Sequence, residues 1–291
     1  MFNSKFLEHN AFCEAEGAYR LKKFTDLPDT HYDGEPFITL VHTQKYKEMI
    51  RNASMNNDFI AEVSMTPESY EAACLSVGLS ILASQTGSFA AIRPPGHHAT
   101  ADRATGFCFF NNIAIAAKKL ANEGKRVFIL DIDAHHGDGT QSLFYESDQV
   151  FYCSIHQNYA FPFTGFPEEK GKGKGLGYTL NLPLFEGSGN KEYLSAIDQA
   201  INAARGFEPD VIAVSAGFDG YEHDYLLSLH ITPHGYYESA FRLRRAFSNI
   251  FAVLEGGYHH NLRKCVNSFV EGINVGARPP RIKWDPNMSI G

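Results

Sequence analysis

Residues 126–132, RVFILDI, form an apolar run that stops abruptly in charge, and the pattern returns along the chain. QVFYCSI at 149–155, GYTLNLP at 177–183, DVIAVSAG at 210–217 and NIFAVLEGG at 249–257 are further runs of branched and aromatic residues. SFAAIR at 88–93 is an earlier one. Runs of this length bounded by turn residues predict strands, and their lack of alternation predicts burial on both faces. Between them, apolar positions recur at helical spacing. Helices are predicted over 66–85, 111–124, 138–146, 190–206, 232–247 and 261–276. The first opens with Thr66 as N-cap and Pro67 at N1, a strong start signal. The first 60 residues carry no strong periodicity beyond a short helix at TQKYKEMIRNA, and a Pro-rich tail follows the last helix.

Strands alternating with helices imply parallel pairing through crossovers. The expectation is a three-layer α/β/α fold with a mostly parallel central sheet, as one domain over residues 1–291. Five polar segments directly follow predicted strands: RPPGHH, DIDAHHGDG, SIHQ, SAGFDG and EGGYHH. Ligands of open parallel sheets bind beyond the carboxyl ends of the strands, so these segments should meet on one rim.

Composition narrows the partners. A net charge of −7 argues against a grip on nucleic-acid phosphates. Five scattered cysteines without a CxxC pair argue against a disulfide framework or a cysteine zinc knuckle. The N-terminal MFNSKFLEHNAF lacks the apolar centre of a signal peptide, and no apolar run reaches the roughly 18 residues needed to span a bilayer. A cytoplasmic protein with no membrane partner is expected.

The strand-end residues suggest metal chemistry. Asp133 and His135 lie two apart, on one face if the chain is extended there, and Asp219 can add a third ligand from another strand. Two carboxylates and an imidazole with a vacant position suit a catalytic zinc. In isolation, such residues would more often be caps and loop histidines; the convergence of five segments favours metal. His97 and His98 can move protons beside it. Asp131 and Asp138 remain to orient imidazoles, and Tyr258, after a glycine turn that would let its ring swing toward the rim, can donate to an oxyanion.

RPPGHHA, GFCFFNNIAIAA, LDIDAHHGDGTQ, SIH, SAGFD and LEGGY together resemble the zinc-dependent histone deacetylase and acetylpolyamine amidohydrolase superfamily, in its bacterial-type branch. The resemblance implies the arginase/deacetylase-like fold and removal of acyl, above all acetyl, groups from lysine side chains, with acylated polyamines or other small amines as the alternative. It implies one Zn²⁺ per chain on Asp133, His135 and Asp219, with Fe²⁺ as the other candidate metal. His97 would be the electrostatic histidine, His98 the general base and acid, Asp131 and Asp138 their partners, and Tyr258 the carbonyl-polarising tyrosine. Gly106 and Phe107 would line the tunnel, opposite Phe161 or Phe163. A structural K⁺ would draw on Asp131, Asp133, His135, Ser154 and Ile155, and hydroxamates should inhibit. Leu226 falls where one polyamine-selective branch carries a glutamate. Only FLEHNAF and EGAYRL remain of the family's opening motif, so a shortened N-terminal region, with its first strand short or missing, is expected.

Two other classes compete. Dimanganese ureohydrolases need further carboxylates where this chain has Gly137 and Gly217. A non-catalytic acyl-lysine binder should have lost a ligand, a histidine or the tyrosine, and all are present.

Overall fold

The computed structural model describes residues 1–276, so the Pro-rich tail lies outside the described residues. Six strands form the main sheet: β3 (Phe89–Ala90), β4 (Val127–Asp131), β5 (Val150–Gln157), β6 (Thr179–Leu184), β7 (Val211–Ala216) and β8 (Ile250–Leu254). Their order is β3-β8-β7-β4-β5-β6, and every pair is parallel. β4, β7 and β8 are buried at every position, as their unbroken apolar runs require. From β4 the chain builds outward through β5 and β6, then returns to place β7 on the other side of β4. The topological switch point, where open α/β sheets hold their ligands, therefore lies between β4 and β7.

The helices follow the predicted periodicity closely. α1 (Gln44–Asn56), α2 (Pro67–Thr86), α3 (Asn112–Asn122), α4 (Asp138–Phe144), α5 (Asn190–Phe207), α6 (Pro233–Ala246) and α7 (Leu262–Gly276) flank the sheet. The Thr66 N–H donates to Ser69 Oγ at 2.8 Å, and α2 stops at Gly87 in the left-handed region, at φ 65°. From Ala72 to Ser84 every residue of α2 but Leu82 is buried, so its serines turn inward on nearby carbonyls: Ser80 Oγ donates to Ser76 O at 2.7 Å and Ser76 Oγ to Arg93 O at 2.9 Å.

Two departures from the sequence pattern stand out. The strand expected over SFAAIR pairs with β8 only at Phe89 and Ala90. Beyond them the Ala91 N–H donates to Met1 O at 2.9 Å, and Arg93 turns into the core. The second departure is a small hairpin, β1 (Phe59–Ile60) with β2 (Val63–Ser64), which no periodicity announced.

The aperiodic N-terminal segment is part of the core. Phe6, Leu21, Phe24 and Ile38 are buried in it, and so are the side chains of Glu16, Arg20 and Arg93. Glu16 Oε2 accepts from Arg20 Nη1 at 2.9 Å and Arg93 Nε at 3.1 Å. Glu16→Ala would leave two guanidiniums without their carboxylate, which typically costs about 3–5 kcal/mol. Urea denaturation should show that loss; a change within about 0.5 kcal/mol, the usual effect of a surface substitution, would contradict it. Burial alone would raise the Glu16 pKa, but Arg93 and Arg20 outweigh it and hold the value below the ordinary 4.5. Its stabilising contribution is thus complete above pH 4.5 and is lost as pH falls through the depressed folded value.

Candidate active site

β4 ends at Asp131, in register with Ser154 of β5 and Ser215 of β7. Beyond it the chain folds over its own carboxylates. The Asp133 N–H donates to Asp131 Oδ1 at 3.1 Å and the His135 N–H to Asp133 Oδ1 at 2.9 Å. Asp219 arrives from the end of β7, where its Oδ1 accepts the Ala134 N–H at 2.8 Å. Asp133 Oδ2 accepts the Gly256 N–H, beyond β8, at 2.7 Å. Three strand ends thus lock one cluster.

Within that cluster the candidate ligand atoms of Asp133, His135 and Asp219 all lie within 4.8 Å of one another. His135 Nδ1 is 2.7 Å from Asp219 Oδ2 and 3.2 Å from Asp133 Oδ1. Both carboxylates are buried, while the imidazole keeps 11% of its side chain exposed. Burial opposes charge on His135, yet Asp219 and Asp133 raise its pKa to about 10. Burial and the neighbouring Asp133 in turn raise Asp219 to about 7, so the two paired carboxylates call for a cation between them. The donor set therefore fits a divalent cation held on three side chains and open on the His135 side. The neighbouring glycines leave no room for a further ligand. A Cβ on Gly217 would sit 2.1 Å from Asp133 Oδ2, and one on Gly137 would sit 2.3 Å from Asp131 Oδ2.

The tandem histidines come from the loop between β3 and α3. His97 Nδ1 lies 3.1 Å from Asp131 Oδ2, and His98 Nδ1 lies 2.8 Å from Asp138 Oδ1 at the first turn of α4. The two environments differ sharply. Burial disfavours charge on His97, but Asp133 and Asp131 overcome it and hold the pKa well above its ordinary value. For His98, burial and the neighbouring His97 lower the pKa to about 3 against the pull of Asp138. The protein groups thus favour the imidazolium at His97 and a neutral imidazole, able to take a proton, at His98.

Above these groups lies a cavity of about 430 Å³, into which His98, His135, Phe107, Phe161, Leu226 and Tyr258 all face. The Phe161 ring is 5.2 Å from that of His98 and 6.3 Å from that of His135, whereas Phe163 stands at the mouth, 67% exposed. Gly106 adopts φ 57°, and a Cβ there would meet the His98 ring at 2.3 Å. Leu226 lies at the mouth and places no charge there. Ser154 lies beside Asp131 with its Oγ 2.8 Å from His156 Nδ1, and Ile155 follows it in β5. Asp131 and Ser154, two of the residues expected to hold potassium, are thus neighbours on adjacent strands.

The backbone of the Tyr258 loop is held at three points. Arg20 Nε donates to Gly257 O at 2.8 Å, Tyr19 Oη to Tyr258 O at 3.0 Å, and the Tyr258 N–H to Asp224 Oδ2 at 2.7 Å. The Arg20 guanidinium also covers the Tyr258 ring, 4.8 Å from its centroid. The glycines also allow close approach: a Cβ on Gly256 would lie 2.5 Å from Asp219 Oδ2, and Gly257 adopts φ 121°. Burial, only partly opposed by Arg20, holds the phenol pKa well above its ordinary value, so the hydroxyl stays a proton donor at neutral pH.

Sequence reasoning missed three supports. Glu255, buried, accepts the Gly96 N–H at 2.7 Å and the His97 N–H at 3.2 Å, and so holds the loop of the tandem histidines. Burial pushes its carboxyl up to about 7. Its position at the end of an apolar run was the available signal. Tyr152 Oη donates to Asp131 Oδ2 at 3.0 Å from inside β5, and Arg20 reaches the tyrosine loop from an aperiodic segment. Neither carried a pattern that a sequence reading could use.

A parallel α/β/α sheet with a buried Asp-His-Asp group at its switch point, beside a tandem histidine pair, defines the arginase/deacetylase-like class. Residues 13–273 match the family described as the histone deacetylase domain, and the chain belongs to that family. It is 42% identical over 236 residues to a probable deacetylase of Archaeoglobus fulgidus, covering 75% of this chain and 65% of that protein. It is 40% identical over 192 residues to an acetylpolyamine amidohydrolase of Burkholderia pseudomallei, covering 65% of this chain and 56% of that one. The chain thus spans somewhat less than two thirds of the length of these curated relatives. Among solved structures, the HDA15 HD domain superposes with a TM-score of 0.88 at 30% identity, over 94% of this chain and 90% of that one. An acetylpolyamine aminohydrolase from Burkholderia pseudomallei gives 0.85 at 28% identity, over 96% and 100%.

Proposed function

We propose that this chain is a metal-dependent deacylase that hydrolyses the amide of acyl-lysine side chains, acetyl-lysine above all. The observation that carries the reading is the opening of the Asp133–His135–Asp219 group, beside the His98–Asp138 pair, into one aromatic-walled cavity. Asp133, His135 and Asp219 would hold one Zn²⁺, or Fe²⁺. Such an ion supplies Lewis acidity and makes water nucleophilic near neutral pH. His98, neutral and oriented by Asp138, would accept the proton of the attacking water and return it to the departing amine. His97, paired with Asp131, would stabilise negative charge beside it. Tyr258 would donate a hydrogen bond to the carbonyl oxygen as charge develops there. Phe107 and Phe161 would flank the aliphatic stem, with Phe163 and Leu226 at the mouth and Gly106 admitting the stem past His98. A K⁺ ion beneath the site would draw on Asp131, Asp133, His135, Ser154 and Ile155.

Acylated polyamines are the second reading, favoured by the similarity to a protein named acetylpolyamine amidohydrolase. Leu226, apolar, weighs against it, and Glu62 is the one carboxylate lining the cavity that could meet a cationic chain. Ranking kcat/KM for acetyl-lysine peptides, longer acyl-lysines and acetylpolyamines tests the choice. The acetyl-lysine peptide should lead; a lead for acetylpolyamines would reverse the assignment.

Two further outcomes are expected. A linear hydroxamate, which chelates a metal with an open position, should inhibit at micromolar concentration or below. No inhibition at millimolar concentration would contradict an accessible catalytic metal. Metal analysis by mass spectrometry should find one ion per chain, as the crowding at Gly137 and Gly217 supports; two would favour the ureohydrolase reading.

No helix among the described residues is long and apolar enough to cross a membrane. All five cysteines are free thiols, which supports a reducing, cytoplasmic setting as part of the proposal.

A further inference from the structure

Strained backbone gathers around the cavity. Eight non-glycine residues among those described adopt positive φ, where Cβ crowds the carbonyl. Asn57 and Glu208 close helices α1 and α5, an ordinary use of that conformation. Four others, Glu62, Phe107, Tyr159 and Phe163, line the one cavity described above, at φ 63°, 66°, 56° and 63°. Ala61, at φ 54°, adjoins them, because its carbonyl accepts the Phe107 N–H at 3.1 Å.

A non-glycine residue persists in this region only where its surroundings hold it there. For Phe107 the holding comes from the tip of the β1–β2 hairpin. Glu62 Oε2 accepts the Gly106 N–H at 2.7 Å, and Ala61 O takes the next N–H. Two consecutive amides are thereby gripped, and both residues that carry them, Gly106 and Phe107, are left-handed. The resulting bend sets the Phe107 ring edge-on to Tyr258, with centroids 5.7 Å apart. A carboxylate accepting a backbone N–H makes one of the stronger hydrogen bonds available. The hairpin has two residues per strand, too few to define a conformation alone, so its contact with Gly106 and Phe107 gives it a purpose.

We propose that Glu62 is a positioning and specificity-determining residue, which clamps the Gly106–Phe107 bend and thereby fixes the width of the cavity around the substrate's aliphatic stem. This inference rests on the acyl-lysine reading of the cavity and deepens it. Glu62 acts through Phe107 and touches no reacting atom.

The test compares Glu62→Ala and Glu62→Gln in the full chain. Each keeps a Cβ at the strained position, so the cost of the turn is unchanged, and the residue is exposed, so folding should survive. Glutamine retains a carbonyl oxygen for the Gly106 N–H; alanine does not. In Glu62→Ala, amide exchange at Gly106 should accelerate at least about tenfold. Its KM for an acetyl-lysine peptide should rise about five- to tenfold, with kcat within about threefold of the parent. Glu62→Gln should stay within about threefold on all three measures. Unchanged exchange and KM in Glu62→Ala would overturn the clamp, as would a glutamine variant as impaired as alanine. Exchange is measured without substrate. A parent protein that fails to hydrolyse the peptide would therefore sink the acyl-lysine reading while exchange still decides the clamp.

Discussion

Asp219→Asn is expected to abolish both metal retention and hydrolysis while leaving the protein folded. Asparagine keeps the volume of the buried side chain and a carbonyl oxygen for the Ala134 N–H, now accepted at 2.8 Å. What disappears is one of two negative charges in a cluster that holds a single imidazole. A divalent ion would then face one carboxylate and one imidazole, too few to hold it against water. Activity should fall by at least about three orders of magnitude, or about 4 kcal/mol of transition-state stabilisation. His135→Ala should behave alike. Stoichiometric metal in either variant, measured by mass spectrometry after dialysis, would show that the ligand set is misassigned.

Tyr258→Phe is expected to spare the metal and cost the rate. Attack of water on an amide carbon places negative charge on the carbonyl oxygen, and an unactivated amide needs more than one electrophile there. The Tyr258 ring is packed by Phe107 and Arg20, and its backbone is fixed by Asp224 and Tyr19, so removing the hydroxyl disturbs none of that support. Loss of one oxyanion donor costs about 10²–10³ in rate, roughly 3–4 kcal/mol. Because the bond strengthens only as charge develops, kcat should carry the loss and KM should move little. Near-normal kcat on an acetyl-lysine peptide would assign the oxyanion to another group.

The sheet and its rim were legible in the sequence for a physical reason. Strands buried on both faces read as apolar runs, and only a ligand-binding edge tolerates Asp131, Asp133 and Asp219 at the ends of such runs. The tandem histidines and the glycine turn before Tyr258 belonged to the same rim. The N-terminal segment was not legible, because Phe6, Leu21 and Phe24 enter the core from short 3₁₀ turns that have no helical period. Arg20 and Glu16 were hidden for the same reason; a charged residue in an aperiodic stretch reads as surface until its partner, Arg93, is seen beside it. SFAAIR looked like a full strand because its side chains are buried, but burial came from the N-terminal segment rather than from pairing along its length. The β1–β2 turn carries Ala61 and Glu62 where glycine or asparagine would have announced it.

Three side chains at one switch point would hold the single metal ion that this chain needs to cleave an acyl-lysine amide. Acetate release from an acetyl-lysine peptide, followed while zinc is titrated into the chelator-treated protein, is the decisive measurement. Negligible release is expected without metal, with a rise that saturates near one equivalent of zinc per chain. Release that is undiminished after metal removal, saturation near two equivalents, or no release at any zinc level would contradict it.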